Sequence, residues 1–94
     1  MIRHIVLLTL TDPAAADPIV KALGELPAQV PSIVSYSVGR DLGLVNGNAT
    51  VGVTATFADV AGWEAYAADP IHQRVITELI RPALAGRTAV QLEE

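Results

Sequence analysis

The sequence contains no cysteine, which excludes disulfide bonds, a thiolate nucleophile and a cysteine-ligated metal. It has only two histidines, with no carboxylate at metal-ligand spacing from them, and it has no phosphate-loop pattern. We therefore expect neither a metal nor an organic cofactor. Because no cysteine marks a redox compartment, a reducing cytoplasm is compatible with the chain, and we expect a cytoplasmic protein.

Positive charge is scarce. Six Lys and Arg residues stand against ten Asp and Glu, giving a formal net charge of −4, and the basic residues are spread singly along the chain. This pattern fits a nucleic-acid phosphate backbone poorly, so we expect no nucleic-acid partner.

Long hydrophobic runs are also absent. No stretch approaches the roughly 20 apolar residues that a transmembrane helix needs, so we expect no membrane partner. The opening "MIRHIVLLTL" has the order of a secretory signal, but its short apolar run is interrupted by Thr9. We interpret it as a β-strand that the fold requires.

Apolar residues are abundant instead. They make up 51% of the 94 residues, and the mean hydropathy is +0.41. A chain of this length forms a single domain, here residues 1–94, and its small core cannot bury so much apolar surface. The excess predicts a partner surface, and a second copy of the chain is the economical partner because small assemblies are mostly symmetric homodimers.

The pattern along the chain predicts strand, helix, strand, strand, helix pair, strand. We expect strands at 2–10, 32–41, 50–57 and 87–92, a first helix capped by Asp17 and ended by Pro27, a second capped by Asp59, and a restart at Asp69-Pro70 that ends near Arg81-Pro82. This is the ferredoxin-like βαββαβ order, an α+β fold with helices on one face of an antiparallel sheet. The first strand is apolar on both alternating sets, so we expect both of its faces to be covered.

Four segments, "RHIVLLTL", "PSIVSYSVGRD", "AYAADPIHQ" and the terminal "VQLEE", together resemble the stress-responsive A/B barrel (Dabb) family over essentially the whole chain. The resemblance implies ferredoxin-like subunits whose sheets face each other in a homodimeric α+β barrel. Functions in that family are mixed. One member is a polyketide cyclase that works by aldol condensation without a metal or organic cofactor.

The resemblance also implies roles for particular residues. His72 matches the cyclase base, Tyr66 its supporting hydroxyl six residues earlier, and His4 the histidine of the first strand. Val51 stands where the cyclase has a further pocket histidine. If the protein is an enzyme, we expect its ligand to lie between the helices and a sheet face that carries His4, Val6, Leu8, Val53 and Ala55.

The residues themselves leave alternatives open. With Pro70 as the first residue of the helix, His72 is the third, where the helix dipole favours a neutral imidazole. It can equally be a partly exposed helix-start residue. Tyr66 can be a core tyrosine with its hydroxyl at the rim. His4 alternates with apolar residues, so it is either a hydrogen-bonded core histidine or the polar handle of a pocket. Trp63 is expected to pack on the sheet.

Two hypotheses of function follow. The first is a cofactor-independent, cyclase- or aldolase-like enzyme on a small apolar carbonyl compound, with His72 as base, Tyr66 as its orienting donor and His4 as a contact to substrate oxygen. A cofactor-free monooxygenase is a variant of it. The second is a non-catalytic dimer that is stress-associated or binds small apolar ligands. An open apolar pocket reached by both histidines favours the first, and a closed core favours the second.

Overall fold

The computed structural model describes all 94 residues and contains one four-stranded sheet. Its strands are β1 (Ile2–Leu10), β2 (Ile33–Arg40), β3 (Val51–Phe57) and β4 (Leu84–Glu93). Their order across the sheet is β2-β3-β1-β4, and every neighbouring pair is antiparallel. The chain thus has the predicted ferredoxin-like fold.

The register of β1 determines which side chains share a face. His4 lies opposite Ala55 of β3 and Gln91 of β4, and Leu8 lies opposite Val51 and Arg87. Because side chains alternate along a strand, these residues all point toward the same side of the sheet. That side is covered by the helices.

Three helices lie on this side: α1 (Ala16–Gly24), α2 (Val60–Ala68) and α3 (Pro70–Val75). The predicted caps of the last two are confirmed. Asp59 accepts a hydrogen bond from the backbone N–H of Gly62 at 2.9 Å, and Asp69 accepts one from that of Ile71 at 2.8 Å. Beyond α3 the chain continues through a π-helical turn, Ile76–Ile80, and a 3-10 turn, Arg81–Ala83. π-helical turns are rare and frequently occur at functional sites.

The predicted start of the first helix was wrong. Asp12, not Asp17, accepts a capping hydrogen bond, from the N–H of Ala14, and it opens a 3-10 turn that leads directly into α1. Asp12-Pro13 offers the same Asp-Pro start five residues earlier, so the helical path has already begun when Asp17 is reached. Asp17 lies in the first turn and accepts a hydrogen bond from Arg40 Nη1 at 2.8 Å.

The connections and strand ends also refine the prediction. The β2–β3 loop contains the expected Asn46-Gly47 turn, in which Gly47 has a φ of 90° that favours glycine. The last strand is longer than the predicted 87–92 and begins at Leu84, directly after the 3-10 turn. None of the helices is long and apolar enough to span a membrane.

The hydrophobic core lies between the sheet and the helices. Phe57, Ile19 and Leu26 are among its fully buried side chains. On the opposite sheet face, by contrast, Leu7 remains 45% exposed and Leu92 46% exposed. One chain therefore covers only one of the two faces that were expected to be covered.

Candidate functional site

A cavity of about 320 Å³ lies between the helices and the sheet. Its size is at the lower end of the range of small-molecule sites, roughly 300–1,000 Å³. Most of its lining is hydrophobic, with a few polar groups, and it consists of His4, Val6, Leu8, Leu23, Val53, Trp63, Tyr66, Ala67, His72, Gln73, Ile76, Ile80, Arg81, Leu84 and Arg87.

The cavity brings together most of the residues that the sequence suggested. His4, Tyr66 and His72 all line it, as do the predicted ligand-binding residues Val6, Leu8 and Val53. Ala55 does not. It is only 1% exposed and lies in the sheet between its register partners His4 and Tyr36, so it belongs to the packing beneath the site.

His72 is held in place by the break between α2 and α3. The Asp69 carboxylate accepts a hydrogen bond from the backbone N–H of His72 at 3.3 Å, and the imidazole stacks on the Tyr66 ring with centroids 4.1 Å apart and planes 26° apart. Its Nδ1 is buried and has no hydrogen-bond partner. His72 also lines the cavity.

The environment of His72 favours its neutral form. Burial lowers the pKa of the imidazole, and the positive charge of Arg87 lowers it further. The carbonyl oxygens of Ala67 and Tyr66 and the Asp69 carboxylate act in the opposite direction but do not outweigh the burial. At neutral pH the ring therefore carries a lone pair that can accept a proton.

Tyr66 contacts His72 through its ring and not through its hydroxyl. The hydroxyl of Tyr66 pairs with that of Tyr36 at 3.1 Å, and burial raises the pKa of both phenols. The expected hydrogen bond from Tyr66 to His72 is absent, because the stacked geometry directs the phenol oxygen past the imidazole toward β2. The contact between Tyr66 and the imidazole is therefore a stacking contact.

His4 has a well-defined hydrogen-bond environment. Its Nδ1 accepts from Gln91 Nε2 at 2.9 Å and from Trp63 Nε1 at 3.3 Å. An indole N–H can only donate, so Nδ1 must be unprotonated and the neutral ring carries its proton on Nε2. Burial lowers the pKa of His4 to about 4, with further lowering by Arg87 and His72. His4 thus combines the two alternatives above, being hydrogen-bonded in the core and lining the cavity.

The site residues that were not identified from the sequence include Trp63, Arg81 and Arg87. Trp63 was expected only to pack on the sheet, but its indole N–H fixes the tautomer of His4. Arg87 lines the cavity because it lies opposite Leu8, a placement that strand alternation in "RTAVQL" could have indicated. Arg81 follows the π-helical turn, which the sequence pattern did not predict.

The site offers no constellation of metal ligands. No group of three or more His, Cys, Asp or Glu side chains is placed to hold a metal ion. Its polar groups are two neutral imidazoles, a paired phenol, an indole, an amide and two guanidinium groups.

A comparison of the sequence with known protein families agrees with the fold. The model of the stress-responsive A/B barrel domain matches residues 2–94. The chain belongs to the Dabb family. The resemblance noted in the sequence is thereby confirmed. A search of curated proteins gives no match to the chain.

Solved structures show the same fold at several degrees of identity. A dimeric ferredoxin-like protein from Thermobifida fusca is 38% identical, with a TM-score of 0.88 over 99% of this Dabb chain and 90% of that one. A dimeric protein with a ferredoxin-like fold from Bacteroides fragilis is 21% identical, with a TM-score of 0.88 over 99% and 95%. The hydroxynitrile lyase from Passiflora edulis is 22% identical, with a TM-score of 0.80 over 97% and 90%. The last two likenesses concern the fold alone.

Proposed function

We propose that this Dabb protein is a cofactor-independent enzyme that abstracts a proton next to a carbonyl group of a small, largely apolar substrate, as a cyclase or aldolase-like reaction requires. The observation that supports this most is the placement of His72. A neutral imidazole with a buried, unpaired Nδ1 stacks on Tyr66 and faces an apolar cavity that a second neutral histidine also lines. Perturbed titratable groups that converge on one cavity are typical of catalytic sites.

His72 is the base in this reaction. We place the ring proton on the buried Nδ1, because a base needs its lone pair on the nitrogen that can reach the substrate. Nε2 then keeps its lone pair on the cavity side. A base placed in this way typically contributes about 10²- to 10⁴-fold to the rate.

His4 stabilises the negative charge that develops on the substrate. Since its Nδ1 is occupied by Gln91 and Trp63, the Nε2–H is the donor available to the substrate carbonyl oxygen. The C–H bond next to the carbonyl breaks, its proton goes to Nε2 of His72, and its electron pair forms the enolate. The enolate carbon then bonds to a second carbonyl carbon, and the imidazolium returns the proton to the new alkoxide.

The lining of the cavity suits such a substrate. Val6, Leu8 and Val53 form an apolar floor on the sheet, and Ile76 and Ile80 of the π-helical turn face it from the helix side. Once a substrate fills this apolar cavity and displaces its water, the hydrogen bond from His4 to a developing oxyanion is strengthened, because little water remains to compete for it. The hydroxynitrile lyase of Passiflora edulis has this fold, so the fold is compatible with an enzyme active site.

We further infer that two copies pair through the exposed sheet face. Leu7, Val90 and Leu92 are each between 45% and 46% exposed there, and the Thermobifida fusca protein, 38% identical, is dimeric. Sedimentation at micromolar concentration should show a two-chain species. Leu7→Glu should yield monomers, whereas Leu42→Glu in the exposed β2–β3 loop should not. A wild-type monomer would contradict the pairing.

Hydrogen–deuterium exchange tests the proposed chemistry without knowledge of the natural substrate. In D₂O, the protein should accelerate the exchange of the protons next to the carbonyl group of 2-heptanone. Proton NMR measures this exchange as the loss of their signal. His72→Ala should reduce this exchange rate at least about a hundredfold. The same substitution should lower the free energy of unfolding by at most ~1 kcal/mol. The matched control is Arg74→Ala, because Arg74 is exposed on the same helix and does not line the cavity. This variant should accelerate the exchange of the ketone protons as much as the wild type does.

Two outcomes would contradict the catalytic proposal. One is equal exchange by wild type and His72→Ala. The other is a ketone that binds in the cavity, seen as shifts of the histidine ring signals, without any accelerated exchange. The second outcome would support a non-catalytic protein that binds small apolar ligands.

A further inference from the structure

The charged residues of the cavity are all of one sign. Among its fifteen lining residues are Arg81 and Arg87, and none is Asp or Glu. The chain as a whole has ten acidic residues and six basic ones, so a carboxylate-free surface around two arginines runs against its composition.

Neither arginine has a partner within the chain. The ion pairs of the structure join Arg3 to Glu94, Arg40 to Asp17 and the N-terminal amine to Glu93. Arg81 and Arg87 take part in none of them, and neither donates a side-chain hydrogen bond. Unpaired guanidinium groups beside an apolar cavity are suited to an anionic ligand, because a guanidinium binds a carboxylate through two parallel hydrogen bonds.

The two arginines approach the cavity from different sides. Arg87 lies on the edge strand β4, opposite Leu8 and on the helix-covered face, while Arg81 follows the π-helical turn. Both are exposed as well as cavity-lining, so they stand at its rim, above an apolar interior. The arrangement places positive charge at the entrance and hydrophobic surface inside.

We propose that the cavity takes a carboxylate ligand with a short apolar tail, whose carboxylate is bound at the rim by Arg87 together with Arg81. The tail would lie between Val6 and Leu8 of β1 and the isoleucines of the π-helical turn. This assignment rests on the proposed function, because it names the substrate class of the same site.

Such a ligand also changes the pKa values of the two histidines. Arg87 lowers the pKa of both His4 and His72, and a carboxylate on Arg87 cancels that effect. The other titratable groups that act on these rings are Asp69, which raises the pKa of His72, and His72 itself, whose protonated form lowers the pKa of His4. An anionic substrate therefore makes His72 a stronger base at the moment when a proton must be removed.

Binding of three matched ligands tests the assignment. Hexanoate, hexanamide and hexyl phosphate share one tail, and their dissociation constants are measured from the histidine ring signals of the whole protein. Hexanoate should bind about tenfold more tightly than hexanamide. This preference is smaller than charged hydrogen bonds usually give, because the exposed guanidinium groups are screened by solvent. Arg87→Gln should abolish this preference, and Arg81→Gln should weaken it. Arg74→Gln, outside the cavity, should keep it.

The outcomes separate this inference from the proposed function. Equal binding of hexanoate and hexanamide, or a preference that survives Arg87→Gln in a variant with unchanged melting temperature, would overturn the carboxylate assignment and leave the apolar cavity intact. Tighter binding of hexyl phosphate than of hexanoate would also overturn it. Failure of all three ligands to bind at millimolar concentration would contradict both the assignment and the proposed function.

Discussion

The burial of His4 predicts a dependence of stability on pH. The imidazole is 5% exposed, and its pKa is lowered from 6.5 to about 4, chiefly by burial. Above pH 6.5 the residue is neutral in the folded and unfolded chains, so it contributes no dependence. As the pH falls from 6.5 toward 4, the unfolded chain binds a proton that the folded chain does not, and the free energy of unfolding decreases.

The size of the effect follows from the same values. If the imidazole were fully shielded from solvent, the free energy of unfolding would fall by about 1.4 kcal/mol per pH unit, or by about 3 kcal/mol between pH 6.5 and pH 4. The cavity beside His4 admits water, which screens the charge, so we expect about 1 to 2 kcal/mol. This is a substantial part of the stability of a small domain.

Urea unfolding at pH 7, 6, 5 and 4.5 measures this loss. Carboxyl groups begin to titrate in the lower part of this range, and His72 contributes with the same sign, so wild type must be compared with His4→Gln. The variant lacks one titrating group and should lose less stability on acidification by about 1 kcal/mol or more. Parallel curves for the two proteins would refute the argument, as would a pKa above 6 for His4 in a histidine NMR titration.

Two further substitutions test the surroundings of His72. Tyr66→Phe should lower the free energy of unfolding by about 1 kcal/mol, because the Tyr36 hydroxyl loses its partner. It should lower the ketone exchange rate less than tenfold, because the stacked ring remains. Tyr66→Leu should lower that rate further, and equal rates in the two variants would contradict a role for stacking. Asp69→Ala should cost about 1 kcal/mol by removing the cap of α3, measured by urea unfolding, and should lower the pKa of His72; an unchanged stability would contradict the cap.

Much of the fold follows from local sequence signals. Asp59 and the Asp69-Pro70 pair fix the starts of α2 and α3, because their side chains accept the N–H groups that a helix start leaves unpaired. The same signal misled the prediction at Asp17, where two Asp-Pro pairs compete for one helix. A local motif does not say which of two equivalent starts leads into the core.

The site was predictable only in part, because it depends on contacts between distant segments. Alternation along β1 places His4 on the covered face, but its hydrogen bonds to Trp63 and Gln91 join residues 59 and 87 positions apart. The pairing of the Tyr66 hydroxyl with Tyr36 likewise depends on how α2 lies over β2. Sequence spacing suggested that Tyr66 and His72 are neighbours, and packing decided that they meet by stacking.

The proposed chemistry requires that His72 is a neutral base and that its Nε2 faces the ligand cavity. The most direct test is NMR of the protein with ¹⁵N-labelled histidine at pH 7, free and during titration with an apolar β-diketone. We expect a neutral imidazole with its proton on Nδ1, and a marked shift of the Nε2 signal of His72 when the ligand binds. A cationic ring at pH 7, or an Nε2 signal that stays unchanged while the ligand binds elsewhere, would contradict it.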